Sequence, residues 1–114
     1  MLLLGIDIGT SSIKVSVVDA QSGKLCTAAS YPDTEVPIMV KQPGWAEQSP
    51  DTWWLHTCEA IKRALQGAAF NPYDIGAIGI AYQMHGLVMV GEQQQLLRPS
   101  IIWCDSRAVP LGEK

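Results

Sequence analysis

Two apolar segments separated by only four residues set the first constraint on this chain. Leu2-Leu3-Leu4-Gly5-Ile6-Asp7-Ile8 is a near-continuous apolar run. After Gly9-Thr10-Ser11-Ser12, Ile13, Val15 and Val17 alternate with Lys14 and Ser16. Period-2 patterning is that of a strand, and so short a connection returns a strand on its predecessor as an antiparallel hairpin. Gln21-Ser22-Gly23 makes a second tight turn, after which Lys24 to about Tyr31 is expected to add a third strand. The chain therefore opens as a three-stranded antiparallel meander. The run over 2–8 further predicts a first strand covered on both faces.

Residues 32–50 carry Pro32, Pro37, Pro43, Gly44 and Pro50 and read as an irregular connection, with Trp45 as an anchor into the core. Ser49-Pro50-Asp51 then marks a helix start: Ser49 can cap, Pro50 suits the first helical position, and Asp51 complements the positive end of the dipole. Trp54, Cys58, Ile61 and Leu65 follow at helical spacing and predict its apolar face, with Gly67 closing it and Glu59–Arg63 pairing on the exposed side. After Asn71-Pro72, residues 75–81 read as a strand with little side-chain bulk. Segments 87–90, 96–97 and 101–103 suggest further short strands, separated by a turn at Gly91-Glu92-Gln93. A meander followed by a helix crossover into another strand is an α/β layered arrangement.

At 114 residues the chain is one small domain or part of one, and 47% hydrophobic residues exclude wholesale disorder. A net charge of −3 with no Lys/Arg run argues against nucleic acid or an anionic membrane as partner. No apolar stretch is long enough to span a bilayer, and the apolar start lacks the basic flank of a signal peptide. Cys26, Cys58 and Cys104 are odd in number and widely spaced, so neither a disulfide framework nor a zinc site follows. They read as buried small apolar side chains in a reducing cytoplasm.

Three segments can carry chemistry. In Asp7-Ile8-Gly9-Thr10-Ser11-Ser12-Ile13-Lys14, Gly9 permits a tight turn, and residues 9–12 offer backbone N–H groups and three hydroxyls to an anion. Lys14 adds a positive charge, and Asp7 can hold magnesium through water, since that ion keeps most of its waters. The competing reading is an ordinary hairpin with a polar tip. In Gln83-Met84-His85-Gly86 an amide and an imidazole can hydrogen-bond a ligand's polar groups while Met84 packs on an apolar face; the competing reading is a loop histidine bonded to backbone. In Trp103-Cys104-Asp105-Ser106-Arg107, Asp105 and Arg107 are two apart and point the same way on an extended segment. They can pair and brace a cleft, or form a purely structural ion pair.

Asp-Ile-Gly-Thr-Ser-Ser-x-Lys at 7–14 resembles the first phosphate motif of the FGGY carbohydrate kinases, a branch of the larger actin, Hsp70 and hexokinase fold. Gly44-Trp45-Ala46-Glu47-Gln48-Ser49-Pro50 with Trp53-Trp54 is similar to the family's W-x-E-Q-x-P...W-W segment. Gln83-Met84-His85-Gly86 and Trp103-Cys104-Asp105-Ser106-Arg107 resemble the Q-M-H-G and W-x-D-x-R elements of its xylulokinase branch, with Cys104 where Asn is often found. By this resemblance Trp45, Trp53 and Trp54 serve core and lid packing. Glu47 either caps the helix after Ser49 or reaches across to another segment.

The resemblance implies an α/β fold of the ribonuclease H-like type, a mixed sheet opening with the meander, and ATP and Mg2+ as cofactors. Asp7 would be catalytic through the magnesium it organises. Gly9, Thr10, Ser11, Ser12 and Lys14 would bind the phosphates, and Gln83, Met84 and His85 the sugar, with Asp105 and Arg107 supporting that cleft. The implied reaction is phosphorylation of a sugar, D-xylulose at O5. The rivals are a gluconate, ribulose or glycerol kinase of the same family, or a non-catalytic sugar- or nucleotide-binding module. A glycerol kinase would be expected to carry an Arg-Glu pair at Met84-His85. The family's catalytic base looks to be an Asp downstream of these residues. The expectation is therefore that residues 1–114 are the N-terminal part of the first kinase domain, inactive alone and prone to self-association through an exposed sheet edge.

Overall fold

The computed structural model describes all of residues 1–114. In chain order the elements are β1 (Leu2–Ile8), β2 (Ile13–Asp19), β3 (Leu25–Tyr31), β4 (Glu47–Gln48), α1 (Pro50–Leu65), a 3-10 turn (Pro72–Asp74), β5 (Ile75–Tyr82), β6 (Ser100–Ile101) and the short α2 (Val109–Gly112). They form two units, one from Met1–Val36 and Trp53–Tyr82, the other from Pro37–Thr52 and Gln83–Lys114. No helix is long and apolar enough to cross a membrane.

The first unit is a mixed four-stranded sheet in the order β3-β2-β1-β5, with β1–β2 and β2–β3 antiparallel and β5 parallel to β1. The meander and the crossover are thus as the turn spacing predicts. Leu2, Leu4 and Ile6 of β1 and Ile13, Val15 and Val17 of β2 point to one face, where Ala60 and Ala64 of α1 close over them.

Four expectations need correction. β1 is not covered on both faces: its burial alternates, and Leu3 and Asp7 lie exposed on the side that α1 does not reach. The helix face is also displaced. Trp54 is 71% exposed, and the buried positions are Thr57, Ala60 and Ala64, because small side chains let the helix approach the β-branched residues beneath it. Glu59 does not pair with Arg63; it takes Lys62 at 2.7 Å. Arg63 instead makes a two-pronged bond with Asp33 at 2.7 and 3.1 Å and lies 4.7 Å over the Tyr31 ring, which meets His56 in a T-shaped contact. Asp33 takes two guanidinium N–H groups at once, a stronger arrangement than a single-point i,i+4 contact on the helix surface. Of the cysteines, Cys26 and Cys104 are exposed and Cys58 is half-buried, so none is a fully buried core side chain.

The bare face of the sheet is floored by small residues. Ala28, Ser16, Gly5 and Gly79 stand opposite one another across four strands, and Ser30, Lys14, Asp7 and Ala81 form the next row. The result is an open concavity of about 810 Å³. On the covered face, Ile78, Ile80 and Tyr82 of the edge strand β5 continue the apolar layer of β1 but stay 60%, 59% and 68% exposed, beyond the reach of α1.

In the second unit the segment expected to be irregular contains β4, which pairs with β6 and, through Glu47, with Met39. The further short strands reduce to β6 and isolated bridges at Leu87–Ile101 and Val90–Leu96, the latter closing the turn at 91–95.

Candidate functional site

Within the first unit, the hairpin tip between β1 and β2 is closed by a bond from the Gly9 N–H to the Ser12 carbonyl at 3.1 Å. A Cβ on Gly9 would stand 2.8 Å from that carbonyl oxygen, which is backbone and cannot swing aside. Only glycine fits, so the motif glycine has a steric cause. The Gly9 N–H is consumed in closing the tip. Ser11 accepts the Val36 N–H at 2.9 Å, tying the tip to the chain beyond β3.

Asp7 and Lys14 are cross-strand partners, 3.8 Å apart, and both are largely solvent-exposed. So long and exposed a pair is weak and exchangeable. An Asp7 carboxylate in contact with solvent suits a magnesium ion held through water, and Lys14 stays available to phosphate oxygens. Asp7 is the one carboxylate within residues 7–14, and magnesium needs few protein ligands. The residues present fit a nucleotide phosphate with its magnesium.

Within the second unit, Gln83-Met84-His85-Gly86 follows directly on β5. His85 has φ 64°, left-handed backbone that few non-glycine residues adopt and that tends to mark functional loops. Gln83 Nε2 donates to Gln48 Oε1 at 3.4 Å. The loop ends where Leu87 and Ile101 exchange backbone bonds at 2.8 and 3.2 Å. Met84 is exposed and offers its thioether to whatever enters.

Asp105 and Arg107 pair with each other. Both Asp105 oxygens accept from the guanidinium at 2.7–3.0 Å, and Oδ2 also takes the Ala46 N–H at 2.6 Å. The hydrogen bonds from Arg107 and Ala46 hold the Asp105 carboxyl well below the usual carboxylate range against the upward push of burial. Arg107 in turn donates to Glu47 at 3.0 Å and lies 3.8 Å over the Trp45 ring. Both Asp105 oxygens and the Nε and Nη2 of Arg107 are thus engaged within the protein.

Glu47 is what the sequence left open. It does not cap α1. It is 1% exposed and reaches across to Arg107, Arg98 and Lys41, the last at 3.6 Å. Burial pushes its carboxyl up, but the Arg107 bond and the three surrounding cations outweigh that and bring it below its ordinary value. Gln48, 2% exposed, and Arg98 also went unread. The signal was a charged residue at Leu97-Arg98-Pro99, set in an apolar stretch with no local partner.

Comparison with known proteins bears on both units. Residues 2–114 match the model of the N-terminal domain of the FGGY family of carbohydrate kinases. The chain is 36% identical over 108 residues to a xylulose kinase of Bacillus subtilis, covering 95% of this chain and 21% of that protein. A "xyloylose kinase" from Brucella ovis superposes with a TM-score of 0.86 at 31% identity, covering 95% of this chain and 22% of the other. A gluconate kinase from Lactobacillus acidophilus superposes at 0.84 with 28% identity, covering 98% and 21%. The chain thus spans about a fifth of the length of the relatives it matches.

Proposed function

The chain belongs to the FGGY family of carbohydrate kinases, and from that membership we propose that it takes part in ATP-dependent phosphorylation of a sugar in the cytoplasm, with D-xylulose as substrate and its 5-hydroxyl as acceptor. The observation that carries the sugar assignment is the left-handed His85 within Gln83-Met84-His85-Gly86. A strained backbone beside an exposed methionine and a side-chain amide supports a site for a polyol carrying one apolar face.

What ATP supplies when bound is the γ-phosphoryl group, its charge screened by magnesium. Asp7 would hold that metal through water, Thr10, Ser11 and Ser12 would donate to phosphate oxygens, and Lys14 would neutralise them. Gln83 and His85 hold sugar hydroxyls while Met84 covers carbon. Asp105 and Arg107 keep the surrounding segments in place without touching substrate. Transfer joins the sugar oxygen to phosphorus, breaks the bridge to ADP and releases the hydroxyl proton to a base that these residues do not provide. Residues 1–114 form the N-terminal part of the first kinase domain in this reading, and alone show no turnover in a coupled ADP-release assay.

An acidic sugar such as gluconate would need a free cation. Arg107 is committed to Asp105, Glu47 and Trp45, which favours a neutral substrate. The test is ATP consumption across ketoses, aldoses, gluconate and glycerol by a family-length polypeptide that carries these residues. Preference for D-xylulose, reduced on the order of a hundredfold or more by Asp7→Ala, is the expected result. Activity on another sugar alone overturns the roles of Met84 and His85. Ligand binding without turnover on any of them points to a regulatory module.

A further inference from the structure

We propose that Gln48 is a positioning residue that holds the Gln83–His85 segment in its left-handed form, the substrate half of this inference resting on the sugar-kinase reading above. Successive residues of a strand point to opposite faces. In β4, Glu47 turns to the arginines, and Gln48, buried to 2% exposure, turns to the Gln83 amide. The strand itself is fixed. Glu47 exchanges backbone bonds with Met39 at 2.9 and 3.0 Å, and Glu47 and Gln48 pair with Ile101 and Ser100. A side chain rooted in such a ribbon has little freedom to move with its partner.

The same ribbon grips the far end of the loop. Leu87 bonds Ile101 through both backbone groups, and Ser100 Oγ donates to the Leu87 carbonyl at 3.0 Å. Ser100 is the register partner of Gln48. The five residues from Gln83 to Leu87 are therefore held at both ends by neighbouring positions of β4 and β6, and His85 lies between them at φ 64°. His85 takes that conformation between the two fixed ends. With the Gln83 end released, His85 can relax to the ordinary negative φ.

The experiment is backbone amide NMR on the 114-residue chain with Gln48→Leu, which removes the amide at similar volume. Expected are displaced His85 and Gly86 resonances with those of Gly9–Ser12 unmoved, a contrast that general loosening would not produce. Unmoved His85 and Gly86 resonances overturn the proposal. If Gln48→Leu does not fold, Gln83→Leu removes the other partner of the same bond and is judged by the same criterion. Titration with D-xylulose is the second readout: affinity falls about tenfold in Gln48→Leu, a residue that does not itself touch the sugar, and an unchanged affinity overturns the substrate half of the proposal. A wild-type chain with no response to the sugar counts against the substrate reading, while the His85 criterion still decides the positioning role.

Discussion

The Asp105 carboxylate accepts the Ala46 backbone N–H at 2.6 Å, joining two positions 59 apart in sequence. That bond fixes the residue before β4 against the segment after β6, and Arg107 then bridges Asp105 to Glu47. Asp105→Ala removes the shared acceptor and leaves the Arg107 guanidinium with one carboxylate partner. A fall in melting temperature of roughly 5–10 °C is expected by circular dichroism, since the part-buried Ala46 N–H loses its acceptor and Arg107 keeps Glu47 alone.

The pH dependence follows from the same carboxylates. Asp105 and Glu47 are both shifted below their ordinary values in the folded chain. In acid the unfolded chain therefore binds the more protons, and stability rises with pH. Their contribution is complete above the ordinary carboxylate values of 3.8 and 4.5 and is lost as pH falls below them toward the depressed folded values. Thermal melts between pH 3 and 7 should show a shallower acid limb for Asp105→Asn than for wild type. Equal slopes would mean that the cluster does not govern acid stability.

Gly9→Ala tests the hairpin tip. Its Cβ meets the Ser12 carbonyl oxygen at 2.8 Å, so the turn must open. Binding of ATP should weaken by about tenfold while the core under α1 keeps its amide protection, read by hydrogen exchange. Loss of protection throughout the sheet would make Gly9 a folding residue and not a local one.

Gly44→Ala is expected to cost more than an ordinary surface change. Gly44 has φ 81°, and a Cβ there would stand 2.5 Å from Ser106 Oγ, whose hydroxyl donates to the Gly44 carbonyl at 3.1 Å. The left-handed backbone alone accounts for about 1–2 kcal/mol, measurable by urea titration. A midpoint equal to that of wild type would show both that Ser106 swings away freely and that the backbone at position 44 leaves the left-handed region without cost.

The edge strand β5 carries no charge, no proline and an exposed apolar row of Ile78, Ile80 and Tyr82. Such edges are templates for pairing. Size-exclusion chromatography with light scattering should find the 114-residue chain self-associated, and Ile80→Lys should return it to monomer. A clean wild-type monomer refutes this.

Much of the first unit was legible because its signals are local. Alternation at Ile13–Val17, the tight turns at 9–12 and 21–23, and Ser49-Pro50-Asp51 each act over a few residues, and the meander and α1 follow from them. The buried face of α1 was not legible. Trp54 and Ala60 both lie on helical spacings, and hydrophobicity alone favours the tryptophan. The sheet instead accepts the small side chains that bring backbone close to backbone.

The sequence by itself determined the strand–turn–strand opening, the helix, the parallel return of β5 and the motifs that mark this family, because turn chemistry and periodicity are written in neighbouring residues. Only the tertiary structure decided that Glu47 is buried among Lys41, Arg98 and Arg107, that Trp45 lies under Arg107, and that Gln48 meets Gln83. Those partners lie far apart along the chain, and no local pattern encodes which of several charged or polar groups will meet. The pairing of β4 with β6 sets it, by fixing where each side chain begins.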